Sequence, residues 1–456
     1  EISCWVCCTD AGYGLGRFFA LILFFSHLCS SHIGSIMFKL RLVSWLIVSL
    51  MLHQTVLGYV FTRRTEQFKN DLSYAVFPLP YSIPGVGDGV GVGGGVLNMA
   101  GSYTDIYGLA IFGDVEGRAL GLADIHLIDK RLILDIGYSA ISKASFNINY
   151  SRGMEGDEDP EDFNSAEMSD STYYGGMATL TFAERMLEFT LRHYYASFNV
   201  ERIRDKDGNI LVEFDESDTE ETYISAGSFV LDLTDDRHDP RAGFRYNFVR
   251  NFPDEPEEGS PKYYTASSNV TLYIPLLTNS TFVTNYFQSD AIVEEEGETD
   301  RDVIAAEAGL EECEPDDTEC QEARETYIDL IVAANKYGNA SSLGGLSRLR
   351  SFTSARYRGA HTRFWGGEFR WNLTDEQTRF NILFMKDLRT SIQLAFFHEE
   401  GTIADKEEDL FKETRHSTGV GVRAVMGSGL VYRLEVATGE EGSQLVLFLG
   451  YPWDLF

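Results

Sequence analysis

His398-Glu399 opens like the zinc pattern H-E-x-x-H, in which two histidines hold the metal and the glutamate serves as base. Position 402 is Thr, so the second ligand is missing. Asp205-Lys206-Asp207-Gly208-Asn209 has the alternating oxygens of a calcium loop, and Glu216 falls where the bidentate ligand belongs. Ile210, however, holds the place where the sharp turn needs glycine, so a hairpin turning at Gly208 is expected instead. Gly89 to Gly94 fits G-x-G-x-x-G, but no helical pattern follows to receive a pyrophosphate. There is no G-x-S-x-G and no P-loop. Carboxylate pairs suited to acid–base work are expected by chance in a chain with 70 Asp and Glu. The expectation is no enzyme, no cofactor and no metal. Cys313 and Cys320 flank a turn-forming acidic stretch, and in an exported chain this pair is expected as a loop disulfide.

The 456 residues carry 38 Lys and Arg against those 70 acids, a formal net charge of -32. This balance argues against a nucleic-acid binder, which needs basic surface. With 44% hydrophobic and 13% aromatic residues and 42 glycines, the chain is also too rich in core formers for acidic disorder. Met37 opens a secretory signal: Lys39 and Arg41, then the apolar run Leu42 to Leu52, then small or β-branched residues at 56–58. Residues 1–36 then read as over-translated sequence, 37–58 as the signal peptide, 59–86 as a short periplasmic segment and 87–456 as the barrel.

After Tyr59 no apolar run reaches a membrane-spanning helix, whereas period-two alternation recurs. Leu187, Phe189 and Leu191 alternate with Glu188, Thr190 and Arg192; Trp365, Phe369 and Trp371 with Glu368, Arg370 and Asn372; Tyr432, Leu434 and Val436 with Arg433 and Glu435. Strands are expected near 87–99, 102–114, 118–128, 131–141, 143–151, 171–184, 186–203, 220–234, 241–252, 262–275, 279–293, 362–373, 388–400, 416–427, 429–438 and 443–453. Connections after odd strands are mostly long (152–170, 204–219, 253–261, 294–361, 401–415). Those after even strands are mostly tight, such as Asp114 to Gly117 and Met426 to Gly429; 374–387 is longer. Long loops on one side and short turns on the other mark an outer-membrane barrel. The fold expected is all-β, a 16-stranded antiparallel transmembrane barrel with both termini in the periplasm. Acid is concentrated in the long loops, at 155–162, 215–221, 294–296 and 311–319.

Four motifs, in order, resemble the BamA superfamily. Leu349-Arg350-Ser351-Phe352 resembles the sixth-loop signature Val/Leu-Arg-Gly-Phe/Tyr, with Ser351 in place of glycine. Phe397-His398-Glu399-Glu400-Gly401 resembles the family's Phe-x-Asp-x-Gly. Asp235, Arg237, Pro240 and Gly243 look like its periplasmic turn. Leu445 to Tyr451 with terminal Phe456 resembles a barrel β-signal. The resemblance implies a sixth loop folded into the lumen, with Arg350 paired to Glu399 and also to Glu368, whose parity faces inward. It also implies a lateral seam between the first and last strands. Gly87, Gly89, Gly91, Gly93 and Gly95 share one face of the expected first strand, opposite Val90, Val92 and Val96. That would weaken pairing at the seam and set Asp88 near the periplasmic interface. The 59–86 segment leaves no room for the family's POTRA domains, so a separate POTRA-bearing or other periplasmic partner is an expectation.

The function expected is insertion or translocation of proteins at the bacterial outer membrane. Its surroundings would be lipid and lipopolysaccharide, and unfolded proteins would be its clients. The alternatives are a passive pore and a structural surface antigen that binds another envelope component.

Overall fold

The computed structural model describes residues 67–454, apart from 69, 149–150, 155–162, 214–218, 253–255, 257–258, 308–312, 314–317, 375–378, 383–384 and 427–429. The expected upstream segment and signal peptide, much of the acidic loop sequence and Phe456 lie outside the described residues. The chain forms 16 barrel strands: β1 (Ser73–Ile83), β2 (Gly87–Leu97), β3 (Asp105–Gly113), β4 (Glu116–Ile128), β5 (Leu132–Ile148), β6 (Asn164–Phe182), β7 (Leu187–Arg204), β8 (Glu220–Thr234), β9 (Gly243–Phe252), β10 (Lys262–Leu277), β11 (Ser280–Glu295), β12 (His361–Asn372), β13 (Met385–Ala404), β14 (Arg415–Met426), β15 (Val431–Gly439) and β16 (Gly442–Leu449). Each pairs antiparallel with its neighbours in chain order, and β1 meets β16 to close the ring. Short strands Ile210–Glu213 and Arg379–Ile382 extend the hairpins of β7 and β13. The first of these makes the Asp205 region a hairpin, where Asp205 accepts from Asn209 N at 2.7 Å.

Alternation sorts the two faces. Leu191, Phe189, Trp365, Trp371, Leu434 and Val436 are exposed, while Glu188, Glu368, Arg370, Arg433 and Glu435 are buried. An apolar outside and a polar inside suit a barrel in lipid.

Two assignments change, and they cancel in the strand count. Residues 131–141 and 143–151 were expected as two strands and form one, β5. The segment 59–86, expected as a periplasmic lead, contains β1, paired with β2 over its whole length. β1 carries Pro78 and Pro80, which cannot donate to a ladder and so suit a strand at a seam or edge. The glycine-rich strand is therefore β2. Its glycines do face the lumen and Val90 and Val92 are exposed outside, but it lies one strand in from the seam. Parity before β5 is inverted accordingly. The turn at residues 114–115 and Asp88 sit at the end that carries the long connections, not at the tight-turn end. The described chain starts and finishes at the tight-turn end: Phe68 packs on His126 and Tyr103, and Tyr451 reaches Asp239 in the turn after β8.

The connection between β11 and β12 holds two helices the alternation did not announce, α1 (Arg301–Glu307) and α2 (Thr318–Tyr337). Cys313 and Cys320 are disulfide-bonded at the start of α2, with Cα atoms 5.8 Å apart. Gly338, at φ 69°, ends α2 as a left-handed residue that glycine adopts without strain.

Candidate functional site

After α2 the chain enters the lumen. Leu343, Leu349, Phe352 and Tyr357 are buried there with Tyr273, Phe287, Phe364 and Trp453. This packing carries Arg350 into the lumen, against the inner face of the barrel wall. Its backbone N donates to Glu399 Oε2 at 3.0 Å and its Nε to Glu399 Oε1 at 2.9 Å. Nη1 donates to Glu435 at 2.7 Å and Nη2 reaches Glu368 at 3.4 Å. The guanidinium also stacks 3.4 Å from the Phe397 ring centroid. The structure thus brings Arg350, Phe352, Glu368 and Glu399 into one interior cluster.

The cluster is larger than the sequence motifs indicated. Arg423 bridges Glu368 and Glu435, each at 2.6 Å. Arg433 binds Glu435 at 2.6 Å and the Leu346 carbonyl at 2.7 Å. Arg370 binds Glu368 at 2.6 Å and lies 4.1 Å from the Tyr451 ring centroid. Isolated buried charges are very costly, so such groups persist only when paired and hydrogen-bonded. The signal for these partners was in the alternation itself. Arg370, Arg433 and Glu435 occupy the inward parity of strands already recognised, and a charge on that parity needs a counter-charge in the lumen.

Ser351, standing where the resembled pattern has glycine, uses its side chain: Ser351 N donates to Ser417 Oγ at 3.1 Å, and the two hydroxyls lie 2.5 Å apart. Farther along, Arg356 Nε donates to Glu441 at 2.9 Å and Tyr357 OH donates to it at 3.2 Å. Burial, and then the Glu441 carboxylate, raise the Tyr357 phenol and keep it a donor. Ser354 N donates to the Pro84 carbonyl at 2.9 Å. The lumen segment therefore holds the β1–β2 turn as well as the wall from β12 to β15.

The turn after β8 is knotted by side chains. Asp235 accepts from Arg241 N at 2.8 Å and Ala242 N at 2.9 Å. Arg237 meets Glu188 on β7 at 2.8 Å. Pro240 is buried, and Gly243 at φ 114° lets the Leu233 carbonyl approach where a Cβ would stand. Asp235, Arg237, Pro240 and Gly243 are thus together, away from the Arg350 cluster. Asp239 in this turn accepts from Tyr451 OH at 2.9 Å.

That contact belongs to a tail the motifs missed. Past Leu449, Gly450 takes φ 83° and the chain bends into the lumen. Trp453 is buried there, donating Nε1 to Glu399 Oε1 at 3.0 Å and packing edge-on to Phe364. Gly366 has no Cβ because Trp453 Cζ2 would lie 2.5 Å from it. Glu399 thus receives both the loop arginine and the tail tryptophan.

The inward bend leaves the seam short. Strands β15 and β16 pair from Gly439↔Gly442 to Tyr432↔Leu449, whereas β1 and β16 share the one register pair Ser82↔Leu447. Ala75 and Leu79 turn their carbonyls toward β2, so the alternate residues Pro78, Pro80 and Ser82 turn their backbone toward β16. Two of these three positions have no N–H to give. Side chains act in place of the ladder: Tyr432 OH donates to Pro80 O at 2.6 Å and Ser82 Oγ to Leu445 O at 3.3 Å. Gly87, Gly89, Gly91, Gly93 and Gly95 are one strand away, where Gly89 and Gly93 make room for the β1 side chains of Tyr81 and Phe77. Tyr81 lies across Gly89 and donates to Val115 O at 3.0 Å.

No family model matches the chain, and no curated protein does. Among solved structures it is similar to BamA from Haemophilus ducreyi lacking POTRA domains 1–3, with a TM-score of 0.45 and 14% identity over 83% of this chain and 69% of that one. It is also similar to CdiB from Escherichia coli, with a TM-score of 0.42 and 12% identity over 86% of this chain and 67% of that one. At these identities nothing of either protein's activity passes to this chain.

Proposed function

We propose that this barrel sits in a bacterial outer membrane and inserts or translocates proteins through the seam between β1 and β16. The observation that carries the reading is the seam itself, with one register pair and two prolines on its pairing edge. A barrel wall is otherwise held by continuous ladders, and each lost rung lowers the cost of parting the strands. Arg350 would set the loop at a fixed depth, and through Ser354 and Pro84 the loop would steady the β1–β2 turn beside the seam. A lumen entered by the loop from one end and the tail from the other weighs against a passive pore. The four motifs resembling the BamA superfamily point the same way. Unfolded proteins would be the clients, and lipid and lipopolysaccharide the surroundings.

The test is reconstitution in liposomes with a small, urea-unfolded outer-membrane barrel as probe. The proposal expects the probe to fold into these vesicles several-fold faster than into empty ones. Equal rates, together with a steady ionic conductance in planar bilayers, would replace it with the pore reading.

A further inference from the structure

The lumen is filled unevenly. The buried cluster of Tyr273, Phe287, Phe352, Phe364 and Trp453 lies against β10 to β12. Across the barrel, Tyr107 on β3 and Tyr173 on β6 sit on inward parity yet stay 44% and 38% exposed. Large rings left bare inside a barrel, opposite a packed plug, mark space on that side.

That space has a built floor. Tyr107 pairs with Gly121, Gly121 with Gly137, Gly137 with Gly175, and Gly175 with Tyr194. One inward rung across β3 to β7 thus reads Tyr-Gly-Gly-Gly-Tyr, four strand spacings of about 4.8 Å each. The two end rings lean over the outer glycines: Tyr107 occupies the place of a Cβ on Gly121, and Tyr194 Cδ1 would lie 2.6 Å from one on Gly175. Nothing covers the middle, because a Cβ on Gly137 would come no nearer than 3.9 Å to any neighbour. Tyr173 stacks on Tyr194 with centroids 5.0 Å apart.

Polar groups border the floor on both sides. Asp135 lies on the next inward rung, within electrostatic reach of both Tyr107 and Tyr194. On that rung Asp135 pairs with Met177, and Met177 with Arg192, which acts on Tyr173 and Tyr194. Ser139 pairs with Tyr173 on the other side. A bare backbone floor, aromatic walls, the Asp135 carboxylate with Asp105 beside it on the inward parity of β3, one guanidinium and a hydroxyl form an array of apolar faces with a few convergent donors and acceptors. Asp135 already accepts from Asp124 N at 2.7 Å, whereas Arg192 Nε is buried with no hydrogen-bond partner among the described residues, and an acyl chain would leave it so. A sugar ring satisfies both kinds of group, its C–H face against tyrosine and its hydroxyls on Asp135 and Arg192.

We propose that this groove binds a neutral oligosaccharide inside the barrel. The test titrates the purified barrel, in a micelle of detergent without sugar headgroups, with maltohexaose, cellohexaose and chitohexaose by calorimetry. The expected result is saturable binding of at least one. Gly137→Leu fills the open middle and should weaken it at least tenfold, as should Asp135→Asn and Tyr107→Ala. Tyr174→Ala, on the outward face next to Tyr173, should leave it unchanged. Heat-modifiable gel mobility reports folding of each variant; if Tyr107→Ala does not fold, Gly137→Leu and Asp135→Asn decide. No saturable binding of any of the three probes, or equal affinity in folded Gly137→Leu, overturns the proposal.

Discussion

Replacing Arg350 with Ala removes the one group in the lumen segment that reaches Glu368, Glu399 and Glu435 together. The consequences differ among them. Glu435 keeps Arg423 and Arg433, and Glu368 keeps Arg370 and Arg423. Glu399 keeps the Trp453 indole and the backbone N–H of residue 350 among the described hydrogen bonds, but it loses its described cation and becomes a buried carboxylate facing a cavity. Breaking a buried pair from one side costs about 3–5 kcal/mol because the remaining charge is uncompensated. Arg350→Ala should therefore lower the urea midpoint of unfolding in micelles. It should also free the segment 344–359, which would be cleaved by protease added at the long-loop end. Adding Glu399→Gln removes the stranded charge while leaving a group that can still accept from Trp453, so the double variant should recover a large part of the loss. A double variant as unstable as the sum of the two single ones would refute the pairing, and so would an unchanged midpoint and cleavage pattern in Arg350→Ala.

Gly366→Ala places a methyl group against the Trp453 ring; overpacking of this kind costs about 1–3 kcal/mol and should loosen the tail, read as increased exposure of Trp453 to a soluble fluorescence quencher. Gly243→Ala puts a side chain at φ 114° against the Leu233 carbonyl and should destabilise the barrel by about 1–3 kcal/mol, measured as a lower urea midpoint. Tyr432→Phe removes the hydroxyl on Pro80 O, and amide hydrogen exchange in β1 and β16 should speed up while exchange in β10 and β11 stays the same.

The alternation made most of the wall legible, because a lumen-facing charge and a lipid-facing aromatic cannot trade places at low cost. Glu368 among Trp365, Phe369 and Trp371 shows this directly. Cys313 and Cys320 were readable from spacing and context. What escaped depended on tertiary context. β1 carries Pro78 and Pro80, residues that rule out a central strand but fit an edge whose missing N–H faces a seam. α2 escaped because its packing lies within one long connection. Trp453 and Tyr451 read as the end of a strand, since nothing local reveals that Gly450 turns them inward. Arg423 shows the same limit: its need for Glu368 and Glu435 becomes visible only once the strands are side by side.

The central claim is that the seam between β1 and β16 must part for the barrel to work. Ser82 and Leu447 are its register partners, so Ser82→Cys with Leu447→Cys, oxidised in living cells, should fasten it. The account predicts depleted outer-membrane proteins and slowed growth under oxidation, restored by a membrane-permeant reductant, with either single cysteine harmless. Complete cross-linking with unchanged outer-membrane composition would contradict it.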